Sequence, residues 1–263
     1  MNLISYAQNH EDILLWRALK DIKNGFYIDV GADDPSEDSV TKLFYENAWS
    51  GINIEPSKKS FTRLCEERPR DINLCFAVGV SEGLTTFYDV PTRGWSTSDP
   101  LVGEYRYSQD PTVNSREVEV YRLDTILEKY NPSAIHFLKI DVEGAENSVL
   151  QGIDFNRFRP WILLVESVSP ITNEPTYEEW EPKVLDSGYK FVYFDGLNRF
   201  YLAQEHWELS QAFSSPPNVL DGFFPKSLVH WHAKAQQAEA MAQQAEAKAQ
   251  QAKEKKQKEE EKK

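Results

Sequence analysis

The sequence predicts an α/β fold: a Rossmann-like, mostly parallel seven-stranded sheet with a C-terminal antiparallel hairpin, followed by a helical coiled-coil tail. Three observations predict it. Phe26 to Val30 is a short apolar run rich in β-formers, and Gly31 with the acidic turn Asp33-Asp34-Pro35-Ser36 leads from it toward a helix. Four predicted strands carry an acid at their carboxyl ends: Asp29, Glu55, Asp141 and Glu166. Near the end of the domain, two aromatic-rich runs are joined by Asp195-Gly196-Leu197-Asn198, a strong hairpin signal.

In chain order, Ser5 to Asp12 is polar and enters a helix to residue 20, with Ile13, Leu14, Trp16 and Leu19 facing inward. Gln8, Asn9 and Asp12 read either as capping and solvation or as a lid over a bound cofactor, with Gln8 as the contact. Strands follow at 26–31, 51–55 and 72–79, with helices at 37–48 and 57–67. Ala77-Val78-Gly79 ends the third strand. Residues 82–121 break the pattern. Leu84 to Val90 and Arg116 to Tyr121 read as strands, and between them Pro91 to Pro100 is turn chemistry around Trp95. So long an excursion inside a compact domain reads as an insertion that covers the site and meets the acceptor. A short helix at 124–129 precedes the fourth strand, 135–141, and Trp161 to Val165 is the fifth. A helix over 177–185 buries Trp180, and strands 188–194 and 199–202 form the hairpin.

The predicted domain spans residues 1–227, and the tail spans 228–263. In the tail, Gln236-Gln237-Ala238-Glu239-Ala240-Met241-Ala242 repeats as Gln243-Gln244-Ala245-Glu246-Ala247-Lys248-Ala249. Ala235, Ala238, Ala242, Ala245, Ala249 and Ala252 step by three and four, the seam spacing of a coiled coil, and Leu228 and Trp231 extend it backwards. A lone solvated helix of good propensity is the other reading. Residues 253–263 are charged low complexity.

The net charge of −13 disfavours nucleic acid and anionic membrane as partners. No apolar run is long enough to span a bilayer and no signal peptide is evident. Cys65 and Cys75, the only two cysteines, give no zinc pattern and fit a reducing compartment. The expected location is cytoplasmic, or peripheral at the inner membrane through partners.

The turn after the first strand has one glycine, Gly31, where a dinucleotide turn wants three. Asp33 and Asp34 would repel a phosphate. The bland reading of both is a helix cap and first-turn acid. Glu55 stands where such a fold places the acid that binds ribose hydroxyls. A ribose, a cationic centre and no phosphate together describe S-adenosylmethionine (SAM). A nicotinamide cofactor is disfavoured.

These blocks resemble the FkbM-type methyltransferase family. The matching residues are Ser5-Tyr6-Ala7-Gln8-Asn9 with Glu11-Asp12, Phe26 to Pro35, Gly51 to Pro56, Leu138 to Gly144, and Phe194 to Tyr201. The similarity covers roughly residues 5–225, and position 10 is His where the family more often shows Gly. The tail is not part of the family pattern. The resemblance implies a class I methyltransferase fold and SAM-dependent O-methylation, often of sugars in bacterial surface polysaccharides or of natural products. It also implies that Asp29, Gly31 and Asp33 hold the methionine part of SAM, Glu55 the ribose, and Ala77 with Val78 the adenine edge.

Methyl transfer to a sugar hydroxyl needs alignment and a positioned base or a metal. Asp141 is the candidate base, with Glu143 and Glu166 beside it. Together the three are a candidate oxygen-only set for Mg²⁺. Lys139 reads as the residue orienting Asp141 or as a structural ion partner, and His136 as a core histidine. Trp95, Ser96 and Thr97, with Glu166, Asp195, Asn198 and Arg199, are the candidate contacts to a glycan or small-molecule hydroxyl acceptor. For Asp195 and Asn198 hairpin geometry is the competing reading. The alternative function is a non-catalytic SAM-fold scaffold that recruits a glycosyltransferase partner, or self-associates, through the tail.

Overall fold

The computed structural model describes residues 3–260. The chain divides into two units: Tyr6–Asp221, and a smaller one built from the amino terminus to Ser5 and from Gly222 onward.

The larger unit holds a seven-stranded mixed sheet. In chain order its elements are α1 (Glu11–Leu19), β1 (Phe26–Val30), α2 (Lys42–Glu46), β2 (Ser50–Ile54), α3 (Lys58–Glu67) and β3 (Ile72–Leu74). There follow β4 (Ala77–Val78), β5 (Gly83–Asp89), α4 (Pro100–Gln109), β6 (Asn114–Tyr121), α5 (Leu123–Tyr130) and β7 (Phe137–Ile140). The unit continues with α6 (Glu146–Gln151), β8 (Ile162–Glu166), α7 (Glu181–Asp186), β9 (Tyr189–Phe194) and β10 (Asn198–Ala203). The sheet order is β9-β10-β8-β7-β1-β2-β3. The five strands from β8 to β3 run parallel, and β10 joins β8 antiparallel, as β9 joins β10. The expected sheet is therefore present, with the hairpin making it mixed.

Strand β1 shows why its apolar run is unbroken. Ile28 and Val30 enter one core with Leu138, Ile140 and the helical residues Leu127 and Leu150. Tyr27 enters a second core with Phe137, Phe44 and Leu14. A strand covered on both faces has no side left to be polar. Order along the sheet reverses between β1 and β7, so the loops after these strands part and leave a crevice.

Several elements differ from expectation. The predicted third strand, 72–79, is two pieces. β3 stays in the main sheet, and β4 belongs to a separate three-stranded sheet, parallel to β6, with β5 antiparallel to β6. Cys75 and Phe76 carry the chain from one sheet to the other. The helix expected over 37–48 is reduced to α2, because Asp38 takes a left-handed backbone (φ 52°) that a helix cannot contain. The predicted insertion contains an ordered helix, α4, capped by the Asp99 carboxylate accepting from Val102 N–H at 2.9 Å, with Pro100 in its first turn. Trp180 is buried as expected, ahead of α7.

In the smaller unit, Leu3–Ser5 pairs in parallel with Phe223–Pro225, and a single helix spans Lys226–Glu260. Leu228, Trp231, Ala235, Ala238 and Ala242 are exposed on it. The seam positions Ala245, Ala249 and Ala252 have side chains outside the described residues, as do 253–260, and residues 261–263 lie outside them altogether. A coiled coil is not shown. No helix among the described residues is long and apolar enough to cross a membrane.

Candidate active site

The crevice at the sheet reversal opens into a cavity of about 520 Å³. Gly31 borders it at the turn after β1. Its φ is +79°, and an added Cβ would stand 1.8 Å from the Asp141 carbonyl oxygen. Only glycine lets the ends of β1 and β7 approach this closely while adopting a left-handed turn.

Glu55 follows β2 and is buried. Its Oε2 accepts from Asp33 N–H at 2.9 Å and its Oε1 from Ser57 N–H at 2.7 Å. Burial raises its pKa to about 7, and the two N–H donors limit the rise. Asp33 sits beside it with a left-handed backbone (φ 41°). Its carboxylate accepts from Ser60 Oγ at 3.1 Å and pairs with Arg93 at 3.0 Å. Asp34 is a turn cap instead: its Oδ1 accepts from Ser36 and Glu37 N–H, both at 2.9 Å, and its Oδ2 pairs with Arg63. Ala77 and Val78 line the cavity on the small-sheet side.

Strand β7 supplies the cavity floor. Lys139 is the register partner of Asp29. Its Nζ donates to the Gly31 carbonyl at 2.7 Å and lies 3.2 Å from Asp29 Oδ1 and 3.4 Å from Asp141 Oδ2. Burial works against the charge on Lys139, but the Asp141 and Asp29 carboxylates outweigh it and hold its pKa above the usual lysine range. Asp29 itself does not line the cavity. It lies beneath, also accepting from Thr41 Oγ1 at 3.1 Å, and its burial raises its pKa against the pull of Lys139.

Beyond Asp141 the chain makes a tight turn in which Glu143 (φ 58°) and Gly144 (φ 108°) are both left-handed. A non-glycine residue there stores about 1–3 kcal/mol of strain, a cost that concentrates at functional sites. Glu143 Oε2 accepts from Arg106 at 2.7 Å. Glu146 Oε1 accepts from Val142 N–H at 3.0 Å and Gly144 N–H at 3.1 Å, closing the turn. Glu166, at the end of β8, is 6% exposed, and its Oε2 is buried with no hydrogen-bond partner. One carboxylate oxygen each of Asp141, Glu143 and Glu166 lies within 4.8 Å of the others. Burial, then the Asp141 charge, lifts Glu143 to about 7. Burial and the Asp141, Glu146 and Glu143 charges raise Glu166 well above the carboxylate range.

The insertion forms one wall. Thr97 donates to the Glu143 carbonyl at 2.9 Å, and Ser96 Oγ accepts from Val90 N–H at 3.1 Å. Trp95 is half exposed over the Arg106 guanidinium, 5.2 Å from ring centre to Cζ. Gln8, Glu11 and Asn198 also line the cavity. Glu11 Oε1 accepts from Asn198 Nδ2 at 2.9 Å and Oε2 from Asn9 N–H at 2.8 Å.

The fold thus gathers Gln8, Gly31, Asp33, Glu55, Ala77, Val78, Trp95, Ser96, Thr97, Lys139, Asp141, Glu143, Glu166 and Asn198 around one cavity. Asp195 and Arg199 do not line it. Asp195 Oδ1 caps the hairpin turn, accepting from Leu197 and Asn198 N–H at 2.8 and 2.6 Å. Arg199 pairs with Glu181 at 2.6 Å and stacks on Tyr177 and Phe191, 3.8 and 4.0 Å from their ring centres. Sequence reasoning missed Glu11, Arg93 and Arg106. Glu11 belongs to the polar segment Ser5 to Asp12 but reads as an ordinary first-turn acid, and both arginines sit in a stretch without periodicity.

A family model described as the methyltransferase FkbM domain matches residues 29–191. Among solved structures, one similar chain is the methyltransferase FkbM from Methylobacillus flagellatus KT. It is 16% identical with a TM-score of 0.44, and the match covers 68% of this chain and 43% of that one. Another is the TehB-like SAM-dependent methyltransferase from Corynebacterium glutamicum ATCC 13032 Kitasato, 5% identical with a TM-score of 0.40, covering 73% of this chain and 87% of that one. The chain therefore spans less than half the length of the first of these. No curated protein matches it.

Proposed function

The chain belongs to the FkbM methyltransferase family, and we propose that it uses SAM to methylate a hydroxyl, that of a sugar in a bacterial surface polysaccharide. The observation that carries this reading is Glu55: a buried carboxylate fixed by two backbone N–H groups at the carboxyl end of β2. Beside it, Gly31 lets the ends of β1 and β7 close together at the cavity, where an added Cβ would stand 1.8 Å from the Asp141 carbonyl oxygen. Such a carboxylate suits ribose hydroxyls and repels phosphate. Asp33, Gly31 and Gln8 line the cavity and suit the methionine end, and Ala77 and Val78 offer an apolar edge for adenine. Asp29 acts from beneath by holding Lys139.

Bound SAM supplies an activated methyl group on a sulfur that leaves neutral. The protein must then align the acceptor hydroxyl and take its proton. Asp141 is the proton acceptor in this reading, oriented by Lys139, and Glu143 is held for it by Arg106. Trp95, Ser96 and Thr97 of the insertion, with Glu166 and Asn198, border the part of the cavity left for the acceptor in this reading.

Calorimetry with SAM followed by mass-spectrometric detection of methyl ethers on saccharide acceptors tests the proposal. Asp141→Asn is expected to lower turnover by about a hundredfold or more with SAM affinity little changed. Full activity would retire Asp141 as the base. SAM binding without turnover on any acceptor would favour a scaffold.

For the tail, the heptad spacing supports self-association through the alanine seam. Light scattering on the full chain and on a chain ending before Trp231 tests this. A monomer in both excludes it.

A further inference from the structure

We propose that Asp141, Glu143 and Glu166 form a binding site for one hard divalent cation of the Mg²⁺ or Mn²⁺ class. The charge balance of the cavity floor leads there. Lys139 serves Asp29 and Asp141 through Oδ1 and Oδ2 respectively. Arg106 serves Glu143 through Oε2. Glu146 is satisfied by two backbone N–H groups. Glu166 is left over: it is 94% buried, its Oε2 accepts nothing, and it borders the same cavity as Asp141 and Glu143. An ionised carboxylate in that position is costly unless a cation meets it.

The geometry offers that cation a place. Three carboxylate oxygens from the ends of two adjacent strands and one tight turn lie within 4.8 Å of one another. Oxygen-only donors select Mg²⁺, Mn²⁺ or Ca²⁺ over the softer metals. Asp141 keeps Oδ1, and Glu143 keeps Oε1, beyond the oxygens that Lys139 and Arg106 engage. Glu143 keeps a left-handed backbone (φ 58°) in the turn that brings its carboxylate into this set. The competing arrangement is a proton shared between Glu166 and Asp141.

The site stands on geometry alone; its catalytic use rests on the methyl-transfer reading. There a cation would bind the acceptor hydroxyl oxygen and lower its pKa.

The test is an electron paramagnetic resonance titration of the metal-stripped full chain with Mn²⁺. One saturable site per chain is expected, weakened by about tenfold or more in Glu166→Gln. In a wild-type amide NMR spectrum the Val142 and Gly144 signals should broaden first. No saturable binding, equal binding by Glu166→Gln with an unchanged near-ultraviolet spectrum, or broadening confined to other residues would each overturn the proposal. If Glu166→Gln does not fold, the wild-type broadening decides. SAM calorimetry on the same metal-stripped protein separates the two readings: heat from SAM with no Mn²⁺ site retires the cation and keeps the cofactor.

Discussion

Lys139 Nζ lies 3.2 Å from Asp29 Oδ1 across adjacent parallel strands where the two residues are register partners. Both are buried on the sheet face that carries Tyr27 and Phe137 into the aromatic core. This pair joins the core to the cavity, because the same ammonium holds the Gly31 carbonyl and approaches Asp141.

Lys139→Met removes the ammonium and leaves the buried Asp29 with the neutral Thr41 hydroxyl. The expected loss is about 3–5 kcal/mol of stability, read from urea denaturation. Lys139→Met with Asp29→Asn should recover part of that loss. Equal destabilisation in single and double variants would show that packing, not charge, holds this position.

Gly31→Ala would force an alanine into φ +79° and set its Cβ against the Asp141 carbonyl. Stability should fall by at least about 1–3 kcal/mol from the backbone alone, and calorimetric SAM binding should vanish. Unimpaired binding would place the cofactor elsewhere.

Glu11 gives a pH signature. Burial, then the Asp195 charge, raises its pKa from 4.5 to about 8. Between those values the unfolded chain is ionised at this position and the folded chain holds the proton. Its stabilising contribution is therefore complete below pH 4.5 and is lost as pH rises to about 8. The slope is up to about 1.4 kcal/mol per pH unit. Urea midpoints of wild type and Glu11→Gln across that window should show a smaller decline in the variant. Parallel curves would remove Glu11 as the titrating group.

Arg93 ties the insertion to the first turn, pairing with Asp33 and Asp38 and donating to the Glu37 carbonyl at 3.1 Å. The arginine is 43% exposed, so Arg93→Ala should change stability by less than about 1 kcal/mol. Chymotrypsin should nevertheless cut more quickly at Trp95. Unchanged cleavage would mean that the loop is held by its other contacts, Thr97 with Glu143, the Tyr88–Thr97 bridge, Ser96 with Val90 and Trp95 over Arg106.

The parallel strands were legible because each is covered on both faces and so is written as an apolar run, as in Phe26 to Val30. The carboxyl-end acids were legible for the same reason, since a charge ending such a run stands out. Legibility failed where side chains answer to distant partners. Nothing local marks Arg106 as the partner of Glu143, 37 residues away, or Glu11 as the partner of Asn198, 187 residues away. The split of the third strand was hidden because Cys75 and Phe76 are as compatible with a strand as their neighbours. Arg199 drew attention by its charge, but its cage of Tyr177, Phe191 and Tyr201 forms only after the chain folds back.

The parallel pairing of Leu3–Ser5 with Phe223–Pro225 ties the amino-terminal strand to the base of the long helix. Trimming the chain back to Asp221 therefore removes more than an appendage: it takes away the ladder against which the opening residues are zipped. A deletion that starts at Trp231 spares that ladder. Phenotypes from the shorter and the longer truncation should be compared before either is ascribed to the helix.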